Sequence, residues 1–124
     1  MTQWGVQSAD FARGIGFFNG ARFFEAHEAW EDVWRAAPAE QKRFWQGLVQ
    51  LAVAFHHHST GNRVGMRSVL ERGIRNLDGY PNDFCGIKLL SLKRSVEQWR
   101  EALDTLQPPP SLPRIESSDS ASSA

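Results

Sequence analysis

Across residues 1–106 the apolar side chains recur three and four positions apart. Nowhere do β-branched residues alternate with polar ones as a strand requires. Leu89, Leu92, Val96, Trp99, Leu103 and Leu106 form one such stripe, and Phe11, Ile15 and Phe18 a shorter one. A chain patterned in this way buries itself by packing helix on helix, so the expected fold is all-α.

Glycine and proline divide the pattern into five helices. Ser8 or Asp10 is placed to cap the first, which breaks at Asn19-Gly20. The second is predicted from Ala21 to Ala36, and Pro38 opens a third that runs to Ser59. Gly61-Asn62 offers a C-terminal stop and a fresh N-cap for a fourth helix ending at Asp78. After a loop from Pro81 to Gly86, the fifth is predicted over Ile87–Leu106. Helix three is apolar on two sides, with Phe44, Leu48, Leu51 and Phe55 on one and Val49 and Val53 toward the other. A helix of that kind belongs at the centre, covered on both flanks. Gly47 and Gly73, which cost about 1 kcal/mol each relative to Ala inside helices, point to close helix approach.

Residues 107–124 differ in kind. Four of the six prolines lie here, followed by a serine-rich end. Pro108-Pro109-Pro110 cannot continue a helix, and few apolar groups are present to offset ordering entropy. The expected division is a helical domain over 1–106 and a disordered or loosely attached tail over 107–124.

Composition narrows the function classes. The 124 residues carry 14 Lys+Arg and 14 Asp+Glu, so no long-range field draws in nucleic acid or an anionic membrane. Arg63, Arg67, Arg72 and Arg75 give helix four a basic flavour that Glu71 and Asp78 dilute. The apolar run Leu48–Phe55 is far too short to span a bilayer, and the N-terminus has neither the basic start nor the apolar run of a signal peptide. Cys85 is the one cysteine, which excludes an internal disulfide and a Cys-rich zinc module and suits a reducing, cytoplasmic setting. No His or Lys adjoins it in sequence to activate it as a nucleophile. Five tryptophans leave room for an exposed aromatic surface, and hence for a homo-oligomer.

The ionisable residues that interrupt the apolar faces carry the functional argument. On a helical wheel His27 and Glu31 fall among Phe23, Phe24, Trp30 and Trp34, with Glu28 at the edge of that face. Helix three repeats the anomaly with Gln46, Gln50, Val53 and His57 spaced i, i+4, i+7, i+11. Buried amides and imidazoles demand partners. Helices two and three, joined by a short connection, are expected to pack antiparallel and bring His27 and Glu31 toward Gln46 or Gln50.

Three readings fit this cluster. It is a polar network fixing helix register in an aromatic core, or a pocket for a small molecule with aromatic walls and a few convergent polar groups. The third is a divalent-metal site using His27, Glu31 and His57, with Glu28 as base in a metal-dependent hydrolase. His27-Glu28-Ala29-Trp30-Glu31 reads H-E-x-x-E, however, and lacks the second histidine of the zinc-protease signature. His56, His57 and His58 diverge by about 100° per residue and cannot converge on one ion.

Phe18-Asn19-Gly20-Ala21-Arg22-Phe23-Phe24-Glu25-Ala26-His27-Glu28-Ala29-Trp30-Glu31-Asp32-Val33-Trp34-Arg35 resembles the signature of the small bacterial and archaeal family called domain of unknown function 309. Gln46-Gly47-Leu48-Val49-Gln50-Leu51-Ala52-Val53-Ala54-Phe55-His56-His57, followed by Gly61-Asn62, resembles its second characteristic stretch, and Tyr80-Pro81 also fits. The resemblance covers about residues 8–106. It implies a compact all-helical domain with no established reaction, cofactor or partner, and its signature centres on His27, Glu28, Glu31, Gln46, Gln50 and His57. The expectation is therefore a non-catalytic module that binds a small molecule or a protein through His27, Glu28, Glu31, Trp34, Gln46, Gln50 and His57, in the cleft between helices two and three.

Overall fold

The computed structural model describes residues 3–118. Five helices follow one another as α1 (Gln3–Asn19), α2 (Phe23–Ala36), α3 (Ala39–Ser59), α4 (Arg63–Leu77) and α5 (Leu89–Thr105), with a short 3₁₀ turn at Phe84–Gly86 before the last. Helix one starts earlier than the caps at Ser8 or Asp10 suggested. A nucleated helix propagates until something stops it, and Asp10 pairs with Arg13 one turn on, 3.3 Å away, instead of capping.

The α3–α4 junction follows the sequence. Gly61 takes φ +79°, and the Asn62 side chain accepts the Gly65 N–H at 2.8 Å as the N-cap of α4. Gly79, at φ +92°, turns the chain out of α4 and delivers Tyr80 to the first turn of α3. The Tyr80 hydroxyl donates to the Glu40 carbonyl at 3.0 Å and accepts the Phe44 N–H at 3.2 Å.

α3 is the hub. Phe44, Trp45, Leu48, Leu51, Ala52, Ala54 and Phe55 are all fully buried on it. Trp45 meets Phe11 of α1 edge-on at 4.8 Å, and Phe55 meets Phe23 of α2 at 5.5 Å and Trp99 of α5 at 5.1 Å. α4 comes closest, because Gly47 and Gly73 face each other across the crossing. A Cβ built on either would lie 3.2 Å from the other's carbonyl oxygen. The α5 stripe packs through Leu89, Leu92, Val96 and Trp99, but Leu106 has left the helix at φ +58° and is 79% exposed.

Residues 107–117 carry no helix, as the prolines require, yet they are held against the bundle. Asn19 pairs with Ile115 like a neighbouring strand, its Nδ2–H donating to the Ile115 carbonyl at 2.9 Å and its Oδ1 accepting the Ile115 N–H at 2.8 Å. Ile115 is only 3% exposed. The Lys88 N–H donates to the Glu116 carbonyl at 2.8 Å, beside an isolated bridge between Ile87 and Ser117. Residues 107–118 are thus irregular in backbone and touch the bundle at Ile115 and Glu116. One isoleucine with a satisfied backbone does what bulk hydrophobicity could not. The remainder of the expected tail, 119–124, lies outside the described residues.

Candidate functional site

The buried face of α2 is Phe23, Ala26, Ala29, Trp30 and Val33, centred on Trp30, whose indole N–H donates to the Phe11 carbonyl at 3.3 Å. His27 and Glu31 therefore sit at the border of the apolar face, not at its centre as the wheel suggested. The wheel counted Phe24 and Trp34 as core, whereas Phe24 is 48% exposed and Trp34 is half-buried.

Along that border runs a strip one side chain wide. His27 Nε2 and Glu31 Oε2 are 3.8 Å apart, and Arg35 approaches the other Glu31 oxygen at 3.5 Å. One turn beyond Glu31, the Trp34 ring lies under Lys42, whose Nζ is 5.3 Å from the ring centroid. The same ammonium donates to the Trp34 and Arg35 carbonyls at 2.7 and 3.0 Å. It occupies the negative end of the α2 dipole and adds a charged donor to the last-turn carbonyls, of which that of Trp34 also accepts the Ala37 N–H at 3.2 Å. At the opposite end, the Phe24 ring stands 5.6 Å from His27 and 5.5 Å from His56 of α3. Glu28 points to solvent.

Two atoms of the strip stand out. His27 Nδ1 and Trp34 Nε1 are buried and have no hydrogen-bond partner among the described residues. A polar atom in that condition costs about 1–3 kcal/mol of lost hydration, so native structures seldom keep one without a use.

The glutamines and His57 do not join them. Gln46 is exposed. Gln50 turns to α4, where its Oε1 accepts the Asn76 Nδ2–H at 2.7 Å. His57 Nδ1 lies 3.4 Å from Asn62 Nδ2 at the α4 N-cap. Gln50 and His57 thus turn to α4 and its N-cap rather than into the α2–α3 cleft, and Gln46 lies at the surface. A polar row can face either flank of a central helix, and the close glycine crossing draws Gln50 toward α4. The three consecutive histidines splay as their helical spacing dictates: His56 onto Phe24, His57 onto Asn62, and His58 onto Trp99 at 4.9 Å. Among the described residues, no three His, Cys, Asp or Glu side chains gather so as to hold a metal ion. His27, Glu31 and His57 are accordingly not brought together.

The basic row of α4 is largely engaged within the fold. Arg63 donates to the Leu103 carbonyl at 2.6 Å, Arg67 pairs with Asp104, and Arg75 reaches Glu71 at 3.9 Å. Burial pushes the Cys85 thiol up to about 12, so almost none of it is thiolate near neutrality. Iodoacetamide at pH 8 should accordingly label Cys85 far more slowly in the folded protein than in 6 M urea. Equal labelling rates followed by mass spectrometry would show the thiol to be open. Sequence reasoning missed Lys42 as part of the strip, and it placed Phe24 beside His27 but took it for core. The available signal was their position, one facing the last turn of α2 and the other opening its first.

No described helix is long and apolar enough to cross a membrane. Residues 11–69 match the DUF309 family, a domain of unknown function. That span holds α2, α3 and the whole strip. An uncharacterised protein of Bacillus subtilis, YpuF, is 41% identical over 56 residues, covering 44% of this chain and 32% of its own. An uncharacterised protein of Aquifex aeolicus is 29% identical over 82 residues, covering 65% of this chain and 25% of its own. The chain spans about a third or less of the curated relatives it matches.

Proposed function

We propose that this DUF309-related chain is a non-catalytic, cytoplasmic protein-binding module, and that the α2 strip from Phe24 through His27 and Glu31 to Trp34 receives a segment of a partner. The observation that carries this reading is the pair of buried, unpartnered atoms, His27 Nδ1 and Trp34 Nε1, on one side of one helix. A docked segment would place an apolar side chain against the exposed Phe24 ring, and rotation of the His27 and Trp34 rings on docking would turn their buried nitrogens toward its backbone. Relatives several times longer than the matched stretch support it, since modules of this kind recur inside larger chains.

The reading separates binding from stability. Changing His27→Leu and Trp34→Phe removes two groups that contribute no hydrogen bond to the free fold, and the 3.8 Å His27–Glu31 contact is too long and open to matter much. The double variant should melt within about 1 kcal/mol of the parent, or above it. With a benzophenone amino acid replacing Phe24, irradiation of the source cells should give a discrete adduct that the double variant lacks. The same probe replacing Val64, 83% exposed on α4, should not give that adduct. An adduct unchanged in the double variant would sink the proposal, as would a loss of several kcal/mol in stability.

A further inference from the structure

Residues 107–113, Gln-Pro-Pro-Pro-Ser-Leu-Pro, have little conformational choice. Each proline fixes its own φ and pushes the preceding residue out of the helical region, so the run is preset toward an extended polyproline strand. The structure lays this strand across the end of the bundle where α5 meets the α3–α4 turn. Pro109 and Pro110 line a hollow with Phe23, His58 and Trp99. The Trp99 indole N–H donates to the Ser111 carbonyl at 2.9 Å, and His58 holds the ring edge-on at 4.9 Å. An aromatic wall against prolines, with an indole N–H on a carbonyl of the same strand, is the general chemistry by which polyproline ligands are recognised.

The chain's own strand fits this groove incompletely. A cavity of about 210 Å³ remains beside it, walled by Met66, Trp99, Ala102 and Leu103 and bounded by Pro109. That space exceeds the roughly 30 Å³ share of one water several-fold, and its apolar lining forgoes dispersion contacts. The strap can also leave without dismantling its anchors. The Asn19–Ile115 pair and the Lys88–Glu116 bond hold the chain beyond it, and the N–H of its first residue, Gln107, stays on the Ala102 carbonyl at the end of α5.

We infer that this groove is a receptor for proline-rich segments of another polypeptide, guarded in cis by residues 107–113. Its preferred ligand carries a large aliphatic side chain where this strap carries Pro109. The site is separate from the α2 strip, so either reading can fail alone.

The test uses the full chain and two synthetic peptides, QPPPSLP and its counterpart with leucine in place of the residue equivalent to Pro109. Binding is followed by calorimetry and by the Trp99 indole N–H in ¹⁵N–¹H spectra. The leucine peptide should bind about fourfold more tightly, as expected from burying roughly one further carbon. Pro109→Gly with Pro110→Gly in the protein should loosen the strap and tighten both peptides by weakening the competitor. Trp99→Phe keeps a ring but loses the donor, and should weaken both. Should that variant fail to fold, the loosened-strap protein decides the matter. If neither peptide shifts the Trp99 indole signal at millimolar concentration in the loosened-strap protein, the proposal falls. Equal affinities for the two peptides would overturn it too. A concentration-dependent dimer that the peptides dissolve would instead assign the groove to a second copy's strap and overturn the partner reading.

Discussion

Phe55→Ala is expected to remove about 3–5 kcal/mol of folding stability. Phe55 is fully buried, and its ring lies 6.3 Å from Phe18, 5.5 Å from Phe23 and 5.1 Å from Trp99. One side chain of α3 therefore ties together α1, α2 and α5. Truncation leaves a cavity among three large rings that have little freedom to collapse into it. With domain stabilities typically about 5–15 kcal/mol, the variant should lose a large part of its margin. Urea melts would show the midpoint falling with little change in slope. Phe24→Ala is the internal control. The same residue type, 48% exposed, should cost well under 1 kcal/mol in the same experiment. A Phe55→Ala cost as small as that of Phe24→Ala would show that α3 is not the hub the ring contacts describe.

That contrast between two phenylalanines also marks what the sequence makes legible. Helical spacing identifies α2 to α5 within a few residues, and the α3–α4 boundaries rest on local signals: Gly61 and Gly79 at positive φ, and Asn62 at a cap. These are short-range effects, fixed by covalent geometry and neighbouring backbone. Which apolar residue is buried is a long-range matter, and periodicity alone places Phe24 and Phe23 on one face. The contact of residues 107–118 with the bundle is equally long-range. It rests on a pairing between Asn19 and Ile115, 96 positions apart, that no composition argument reaches.

The candidate site divides in the same way. His27 and Glu31, at i, i+4 on one helix, meet as the spacing requires. Their supposed partners on α3 depend on which flank of the helix faces α2, and the polar row itself does not say. Gly47 does. Gly47 and Gln50, at i, i+3, share a face, so if Gly47 marks the close crossing then Gln50 must look the same way. The structure puts both against α4: a Cβ built on Gly73 would lie 3.3 Å from the Gln50 Cβ, and Gln50 bonds Asn76. Joining the two observations in the sequence would have turned Gln50 away from His27.

Gly47→Ala and Gly73→Ala carry the second large expectation. Alanine is the better helix former by about 1 kcal/mol, which alone would make either change stabilising. Sterics oppose it. A Cβ at position 47 would lie 2.9 Å from Leu77 Cδ2 and 3.2 Å from the Gly73 carbonyl oxygen; at position 73 it would lie 3.0 Å from Leu51 Cδ2 and 3.2 Å from the Gly47 oxygen. A leucine methyl can swing aside, but a carbonyl in mid-helix moves only with its helix. Relief therefore requires α3 and α4 to part by a few tenths of an ångström, loosening the Gln50–Asn76 bond and the packing beneath. Overpacking of this kind costs about 1–3 kcal/mol, enough to reverse the propensity gain, so each single variant should be destabilised by about 1 kcal/mol. Both methyl groups push on one seam, and a seam already opened for the first admits the second more easily. The double variant should then lose less than the sum of the singles, with a coupling of about 0.5 kcal/mol or more. Gly16→Ala supplies the comparison, because a Cβ there meets nothing within 4 Å and should raise stability by up to about 1 kcal/mol. If Gly47→Ala stabilises as Gly16→Ala does, the crossing yields freely. The glycines would then no longer explain why Gln50 faces α4.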